Sequence, residues 1–281
     1  MSVRIIAFVS VMLVAFTLRA SEIVDGRGVR HSFSTPPKAV SLAPSITDMI
    51  FEIGAQEYLV AVSAFSDIRG EKIECVGSVF GIDWEKLVSL KPDVVIVPNV
   101  HDSAIAQRLS QCGIKCIYLH KEGAISIAED LVLLGEIFCK QSKAQALANE
   151  FQKELSNRHN GDKVRALFLF SSVSAGKGSF VSDILNLCGF ENCADKTNAT
   201  WPILSREFIL TENPDVLFVV SSSPQQQKYE LARLRSDIAW SATKAVSNNN
   251  VYFIKYDDII LPSVRVLNAI KYLRNVRKAF K

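Results

Sequence analysis

The chain has 281 residues, 48% of them apolar and 22% charged, with a formal net charge of only +3. That length holds two modest domains with their own cores. So small a charge leaves no footprint for nucleic acid or an acidic membrane surface.

Met1-Ser2-Val3-Arg4 is a short basic start, followed by an apolar run from Ile5 to Leu18 and then Arg19-Ala20. This is the pattern of a secretory signal peptide over residues 1–20, too short to cross a bilayer comfortably. An uncleaved anchor is the competing reading, kept open by Leu18 at the third place before the cut. We adopt cleavage. With no Cys after the apolar run, no lipid anchor is expected, and export of a soluble protein implies the periplasm. Loss of Arg4 and Arg19 takes the charge from +3 to near +1.

Residues 21–37 read as polar and irregular, ending at Pro36-Pro37. Ala39 to Leu42 reads as a strand, and Pro44 opens a helix with Met49, Ile50 and Ile53 on one face and Gly54 as its stop. Strands follow at Leu59–Val62, Val94–Val97 and 115–119, separated by helices at 84–90 and Ala104–Gln111. Strands alternating with helices over short turns predict a mostly parallel sheet across 38–121. Ser126 with Glu129 forms a capping box, and Ile127, Leu131, Leu134 and Phe138 continue an apolar stripe through Ala144, Leu147, Phe151 and Leu155. The stripe predicts one connecting helix within 124–160, about 33 residues and roughly 50 Å long, a stiff strut between two lobes. A second α/β set occupies 163–281, with strands at Val164–Phe170, Val216–Val220 and Val251–Ile254 and a closing amphipathic helix over 264–280. Lys91-Pro92-Asp93-Val94 is echoed about 120 residues later by Asn213-Pro214-Asp215-Val216, each a turn feeding an apolar run. The repeat implies two similar halves with a cleft between them, where small molecules bind.

Six cysteines allow 15 pairings. Cys112 with Cys116 and Cys188 with Cys193 are conceivable local disulfides in an oxidising compartment, while Cys75 and Cys139 read as buried free thiols. The spacings are not those of a zinc knuckle, so no metal site is expected. There is no HExxH, GxSxG or GxGxxG motif. Ala175-Gly176-Lys177-Gly178 lacks the earlier glycine of a phosphate-cradling loop and reads as a turn that can still face a ligand. His101 and His120 each follow a predicted parallel strand, at the edge where open α/β sheets bind ligands. Solvated loop residues are the plainer reading of both. Phe65, Phe80, Trp84 and Trp201 sit in turns or near helix starts, as caps over the core or as walls for a large planar ligand. No nucleophile–base pairing is visible, which ranks an enzyme last.

Ser41-Leu42-Ala43-Pro44-Ser45-Ile46-Thr47-Asp48, Gly54-Ala55, Phe65-Ser66-Asp67, Val76-Gly77, Glu85 ahead of Leu90-Lys91-Pro92-Asp93, Gly176-Lys177, Cys188-Gly189 and Trp201-Pro202-Ile203-Leu204-Ser205-Arg206-Glu207 resemble the iron/cobalamin class of periplasmic substrate-binding proteins of ABC importers. The match runs over about residues 38–275 and is nearest the cobalamin-binding branch. It implies two Rossmann-like lobes with mostly parallel sheets, joined by one long α-helix. It also implies a monomer without a cofactor of its own, which hands its ligand to a permease dimer in the inner membrane. The sequence departs from the branch at two tryptophan positions, held here by Val79 or Phe80 and by Pro98. The branch's cysteine partner for the Cys188 position is missing around Leu273-Arg274, and Cys193 is a candidate substitute.

On this resemblance Phe65, Phe80 and Trp201 supply aromatic walls, and Asp257 or Asp258, with Arg265, supplies polar contacts to cobalamin or a related corrinoid. Haem or a ferric siderophore is the alternative, with His101, His120 or Tyr118 as axial ligands and Arg265 and Lys177 as basic contacts. Glu85 and Glu207, each in a first helical turn ahead of a Pro-Asp junction, match the glutamates that dock such proteins onto arginines of the two permease subunits. The plainer reading is that each carboxylate complements a helix dipole.

Overall fold

The computed structural model describes residues 21–99, 104–121 and 123–280. The leader assigned to 1–20 lies outside these residues, as does His101. The described chain starts with a hairpin of β1 (Ser21–Val24) and β2 (Arg30–Phe33), antiparallel around the Asp25-Gly26 turn. It replaces the irregular segment expected there. The hairpin is fastened by Asp25, which accepts from the backbone N–H of Arg27 and Val29, and by the Gly26 N–H donating to the Tyr118 carbonyl at 2.8 Å. A side chain at Gly26 would lie 2.0 Å from the Leu119 carbonyl oxygen, so only glycine lets the hairpin approach that strand end.

The first lobe is built from β3 (Ala39–Ser41), α1 (Pro44–Glu52), β4 (Leu59–Val62), β5 (Glu74–Cys75), the short ribbon of β6 (Gly77–Ser78) and β7 (Gly81–Ile82), α2 (Trp84–Ser89), β8 (Val94–Val97), α3 (Ala104–Gln111) and β9 (Lys115–Tyr118). Its sheet runs β5-β4-β3-β8-β9, parallel throughout. The second lobe comprises β10 (Val164–Phe170), β11 (Val173–Ser174), α6 (Phe180–Leu187), β12 (Phe190–Asn192), α7 (Arg206–Glu212), β13 (Val216–Val220), α8 (Pro224–Ser236), α9 (Ile238–Ser241), α10 (Lys244–Ser247), β14 (Val251–Ile254), α11 (Tyr256–Ile259) and α12 (Val266–Arg277). Its sheet runs β11-β10-β13-β14 with β12 also on β10, parallel except for the β10–β11 pair.

The repeated Pro-Asp junction is a structural repeat. Lys91 and Asn213 both take positive φ, 48° and 37°, and end the preceding helices in left-handed turns. Asp93 and Asp215 then donate their backbone N–H groups to the carbonyls of Lys38 and Arg165 at 2.9 Å, which sets each following strand beside its neighbour. Both strands, β8 and β13, are buried along their whole length, as expected for parallel strands covered on both faces.

The segment 124–160 is two helices rather than one strut. Between them α4 (Ala124–Ile137) and α5 (Gln141–Ser156) leave a three-residue reversal in which Cys139 has φ 54°. The helices return on each other closely: a Cβ on Gly135 would sit 2.3 Å from that of Ala144. The start of α4 and the end of α5 share one surface depression, lined by Ala124, Ile125, Gln152 and Leu155. Phe138 stacks on Tyr58 with ring centres 5.6 Å apart and so seats the reversal on the first lobe. Glu154, near the other end of α5, pairs with Arg274 of α12 in the second lobe. One continuous apolar core therefore joins both lobes through the helical pair, from Ile46 and Ile50 through Leu131 and Phe151 to Phe168, Phe218 and Leu273. Helix α4 begins at Ala124, with Gly123 at its cap, so Ser126 is not the capping residue.

The cysteines are all free. Cys188 lies in the core shared by the two lobes, whereas Cys193 lies in the separate core of the second lobe, so the sheet separates them. Cys112 is exposed in the turn after α3 while Cys116 sits on β9, half-buried against the outer core of the first lobe. Cys75 and Cys139 are exposed rather than buried.

Candidate ligand-binding cleft

A cavity of about 290 Å³ opens between the lobes at the carboxyl ends of the parallel strands, the place where open α/β sheets bind ligands. Ala43 and Ser45 line it from the start of α1, Pro98 and Asn99 from the end of β8, and Leu119 and His120 from the end of β9. Helix α4 contributes Ser126, Ile127 and Asp130, and the second lobe contributes Phe180, Trp201, Ile260 and Pro262. The larger depression of about 600 Å³ along α4, α5 and α6 lies away from the strand ends.

The sequence motifs build this cleft locally. Ser41 and Thr47 hydroxyls bond at 2.8 Å, Thr47 reaches Ser66 at 3.0 Å, and Ser66 reaches Ser63 at 3.0 Å. This chain ties the loop after β4 to α1, holding Phe65 at φ 66° with 97% of its surface exposed. In the second lobe Gly176 donates to the Thr200 carbonyl at 2.8 Å and Ser174 to that of Pro202 at 2.8 Å. A Cβ on Gly176 would lie 2.3 Å from the Ala199 carbonyl oxygen. The glycine turn therefore serves to seat the Trp201 segment.

Charge crosses between the lobes beside the cavity. Arg265, at the cap of α12, donates from Nε to Asp48 Oδ1 at 2.8 Å and from a terminal nitrogen to Asp67 Oδ2 at 3.0 Å. Arg69 donates to the same Asp48 oxygen at 2.9 Å and to Glu52 at 2.6 Å. Asp48 is 3% exposed, and its Oδ2 has no hydrogen-bond partner among the described residues. The Arg265 bond holds the Asp67 carboxyl below its ordinary range. Within the cavity His120 Nδ1 lies 2.7 Å from Asp130 Oδ1. That bond raises the imidazole above its ordinary value, while burial raises the Asp130 carboxyl against the opposing effect of His120.

The expected site residues divide accordingly. Trp201 and His120 line the cavity. Arg265 stands beside it, with Asp257 3.9 Å away and the Phe65 loop tied in through Asp67. Phe65 itself lies outside the cavity, and Phe80 is 91% exposed on the β6–β7 ribbon. Asp258 accepts from Asn268 at 3.1 Å and does not face the cavity. Tyr118 is buried on the outer side of the first sheet under the Arg27 guanidinium, 3.5 Å from its ring centre, which removes it as an axial ligand. Trp84 lies on that same side under Arg108. Lys177 is exposed and away from the cavity. Among the described residues no cluster of three metal-ligating side chains occurs.

Sequence reasoning gave no role to Asp48, Asp67, Arg69, Asp130, Phe180 or Pro262. Asp48 and Asp67 lay inside quoted motifs, and a buried-face aspartate in the apolar stripe of α4 was the available signal for Asp130. Glu85 and Glu207 are both exposed second residues of short helices, behind the side-chain caps Asp83 and Ser205. Neither carboxylate has a hydrogen bond or ion pair among the described residues.

Residues 40–257 match the family model described as periplasmic binding protein. A vitamin B12-binding protein of Vibrio parahaemolyticus is 31% identical over 248 residues, covering 83% of this chain and 86% of the relative. Another of that name, from Pectobacterium carotovorum, is 30% identical over 207 residues, covering 69% and 75%. The chain belongs to the periplasmic binding protein family. Among solved structures, the vitamin B12 binding protein BtuF of Vibrio cholerae superposes with a TM-score of 0.75 at 24% identity, over 87% of this chain and 98% of that one. The heme-binding protein RhuT of Roseiflexus superposes at 0.73 and 19%, over 85% and 97%. At these identities the two structures share its fold.

Proposed function

We propose that the protein captures cobalamin or a related corrinoid in the periplasm and delivers it to an ABC importer in the inner membrane. The observation that carries this reading is the two-lobe cleft with Trp201 on its wall and the Arg265 charge cluster at its edge, in a chain whose relatives are named for vitamin B12 binding. The cavity is smaller than a corrinoid, so the ligand spreads beyond it, toward the loop that Asp67 ties to Arg265, where the Phe65 ring is exposed. Isothermal titration of the chain lacking residues 1–20 against cyanocobalamin, haemin and a ferric hydroxamate tests the assignment. Cyanocobalamin should bind one to one and most tightly. Tight haemin binding without cyanocobalamin binding would transfer the assignment to the second reading, haem capture, which His120 in the cavity wall favours.

Delivery rests on Glu85 and Glu207. One free acidic contact per lobe fits a two-fold permease, and opposite charge orients and speeds such an encounter. Glu85→Ala with Glu207→Ala should leave cyanocobalamin affinity unchanged while weakening permease binding and uptake. Undiminished uptake by the double variant would refute the docking assignment.

A further inference from the structure

The cavity holds a nitrogen donor that the capture reading leaves unused. His120 and Asp130 form a tight pair: Asp130 Oδ1 accepts from the His120 backbone N–H at 2.8 Å and lies 2.7 Å from Nδ1 of the same residue. Both bonds converge on one oxygen, which fixes the ring relative to its own backbone. With a carboxylate as partner, Nδ1 keeps its proton, and Nε2 is left as the lone-pair nitrogen of the neutral ring. Nε2 has no hydrogen-bond partner among the described residues, although the side chain is only 30% exposed.

A carboxylate behind an imidazole is the usual support of a metal-binding histidine, since it orients the ring and makes the other nitrogen a better donor. The surroundings restrict what that metal can be. No group of three ligating side chains exists among the described residues, so a bare ion would find one donor here. A single donor suits a metal already held in a macrocycle with one axial position open. Phe180, Trp201 and Ile260 line the same cavity and offer apolar walls to such a ring.

We propose that His120 Nε2 is an axial ligand to the cobalt of a corrinoid whose axial position is open, so that the cleft takes base-free corrinoids as well as complete ones. The proposal rests on the capture reading above. In the binding step the Nε2 lone pair displaces an axial water: one Co–O bond breaks, one Co–N bond forms and the water leaves. The oxidation state of cobalt does not change, and any proton on Nε2 passes to the buffer. Asp130 is a positioning residue.

Diaquacobinamide, which carries no base of its own, is the probe. Mixed with the wild-type protein, it should show a one-to-one shift of its visible spectrum, reversed by cyanide. In the cob(II)inamide form, prepared with dithionite, nitrogen splitting should appear on the cobalt resonance and change with ¹⁵N-histidine labelling. His120→Gln, checked for a native circular-dichroism spectrum and a cooperative unfolding transition, should abolish both signatures. Asp130→Asn should keep the shift but need about ten- to a hundredfold more protein to reach it. An unshifted wild-type spectrum, an identical shift in His120→Gln, or axial ligation of haemin alone would overturn the proposal. Cyanocobalamin is closed on both faces of its cobalt and separates the two readings. If it binds while diaquacobinamide stays unshifted, only the axial role fails; if neither binds, the capture reading fails with it.

Discussion

Arg265 and Asp48 lie 217 positions apart and meet across the cleft, Nε to Oδ1 at 2.8 Å. The aspartate belongs to the first helix of one lobe and the arginine to the cap of the last helix of the other. The bond is therefore a latch between lobes, reinforced by Asp67 on the same arginine and by Arg69 on the same aspartate.

Removal of the latch leaves a buried carboxylate with one cation in place of two. Arg265→Ala should cost about 1–3 kcal/mol, the usual penalty for depriving a buried charged acceptor of a partner. The figure stays below that of an isolated buried pair because Arg69 remains. Urea unfolding should show a lower midpoint with an unchanged slope. An unshifted midpoint would show that the three acidic partners do not depend on Arg265. The shared core makes wide opening of the lobes costly, so X-ray scattering should change little on ligand addition.

Two groups link stability to pH with opposite signs. Asp67 is held below its ordinary 3.8 by Arg265, so its contribution is present above that value and fades as pH falls through the lowered one. Its side chain is over half exposed, which keeps the contribution small. His120 is raised above 6.5 by Asp130, so its contribution is complete below 6.5 and fades as pH rises through the raised value. Unfolding free energies across this range should show a slightly shallower acid-side slope in Asp67→Asn and a shallower alkaline-side slope in His120→Gln. Identical profiles for wild type and His120→Gln would contradict the pairing.

The thiols offer a chemical test of the fold. Burial pushes Cys116 and Cys188 up to about 12, where thiolate, the reactive form, is scarce. Cys193 is buried and raised as well. Cys75, Cys112 and Cys139 are exposed. Ellman's reagent should modify these three rapidly in the native protein and the other three only after unfolding. A disulfide between Cys188 and Cys193 in the purified protein would contradict the separation of the two cores.

Much of this architecture is written locally. The two Pro-Asp junctions mark equivalent helix-to-strand turns because each places a left-handed residue, a proline and a buried branched run in fixed order. The helical hairpin was harder to read. A three-residue reversal leaves apolar residues on both arms facing one core, so the stripe from Ile127 to Leu155 resembles one helix. The six-residue step from Phe138 to Ala144 is its one departure from helical spacing. Trp201 and Arg265 carried their site roles through family motifs. Asp48 and Asp130 did not, because a partner more than two hundred residues away, or a histidine beyond the helix start, leaves no periodic trace. The β1–β2 hairpin had a signal in Asp25-Gly26, but its strands are only four residues each.

The central claim is that a corrinoid binds between the lobes against Trp201. Isothermal titration of cyanocobalamin into wild type and Trp201→Ala, both without residues 1–20, tests it most directly. Wild type should bind one to one and the variant at least about tenfold more weakly, the loss of roughly 1.4 kcal/mol expected when an aromatic wall is removed. The variant should still unfold cooperatively, with a melting temperature lowered by a few degrees, because Trp201 is half-buried against the shared core. No binding to wild type, or equal affinity in the two proteins, would contradict it.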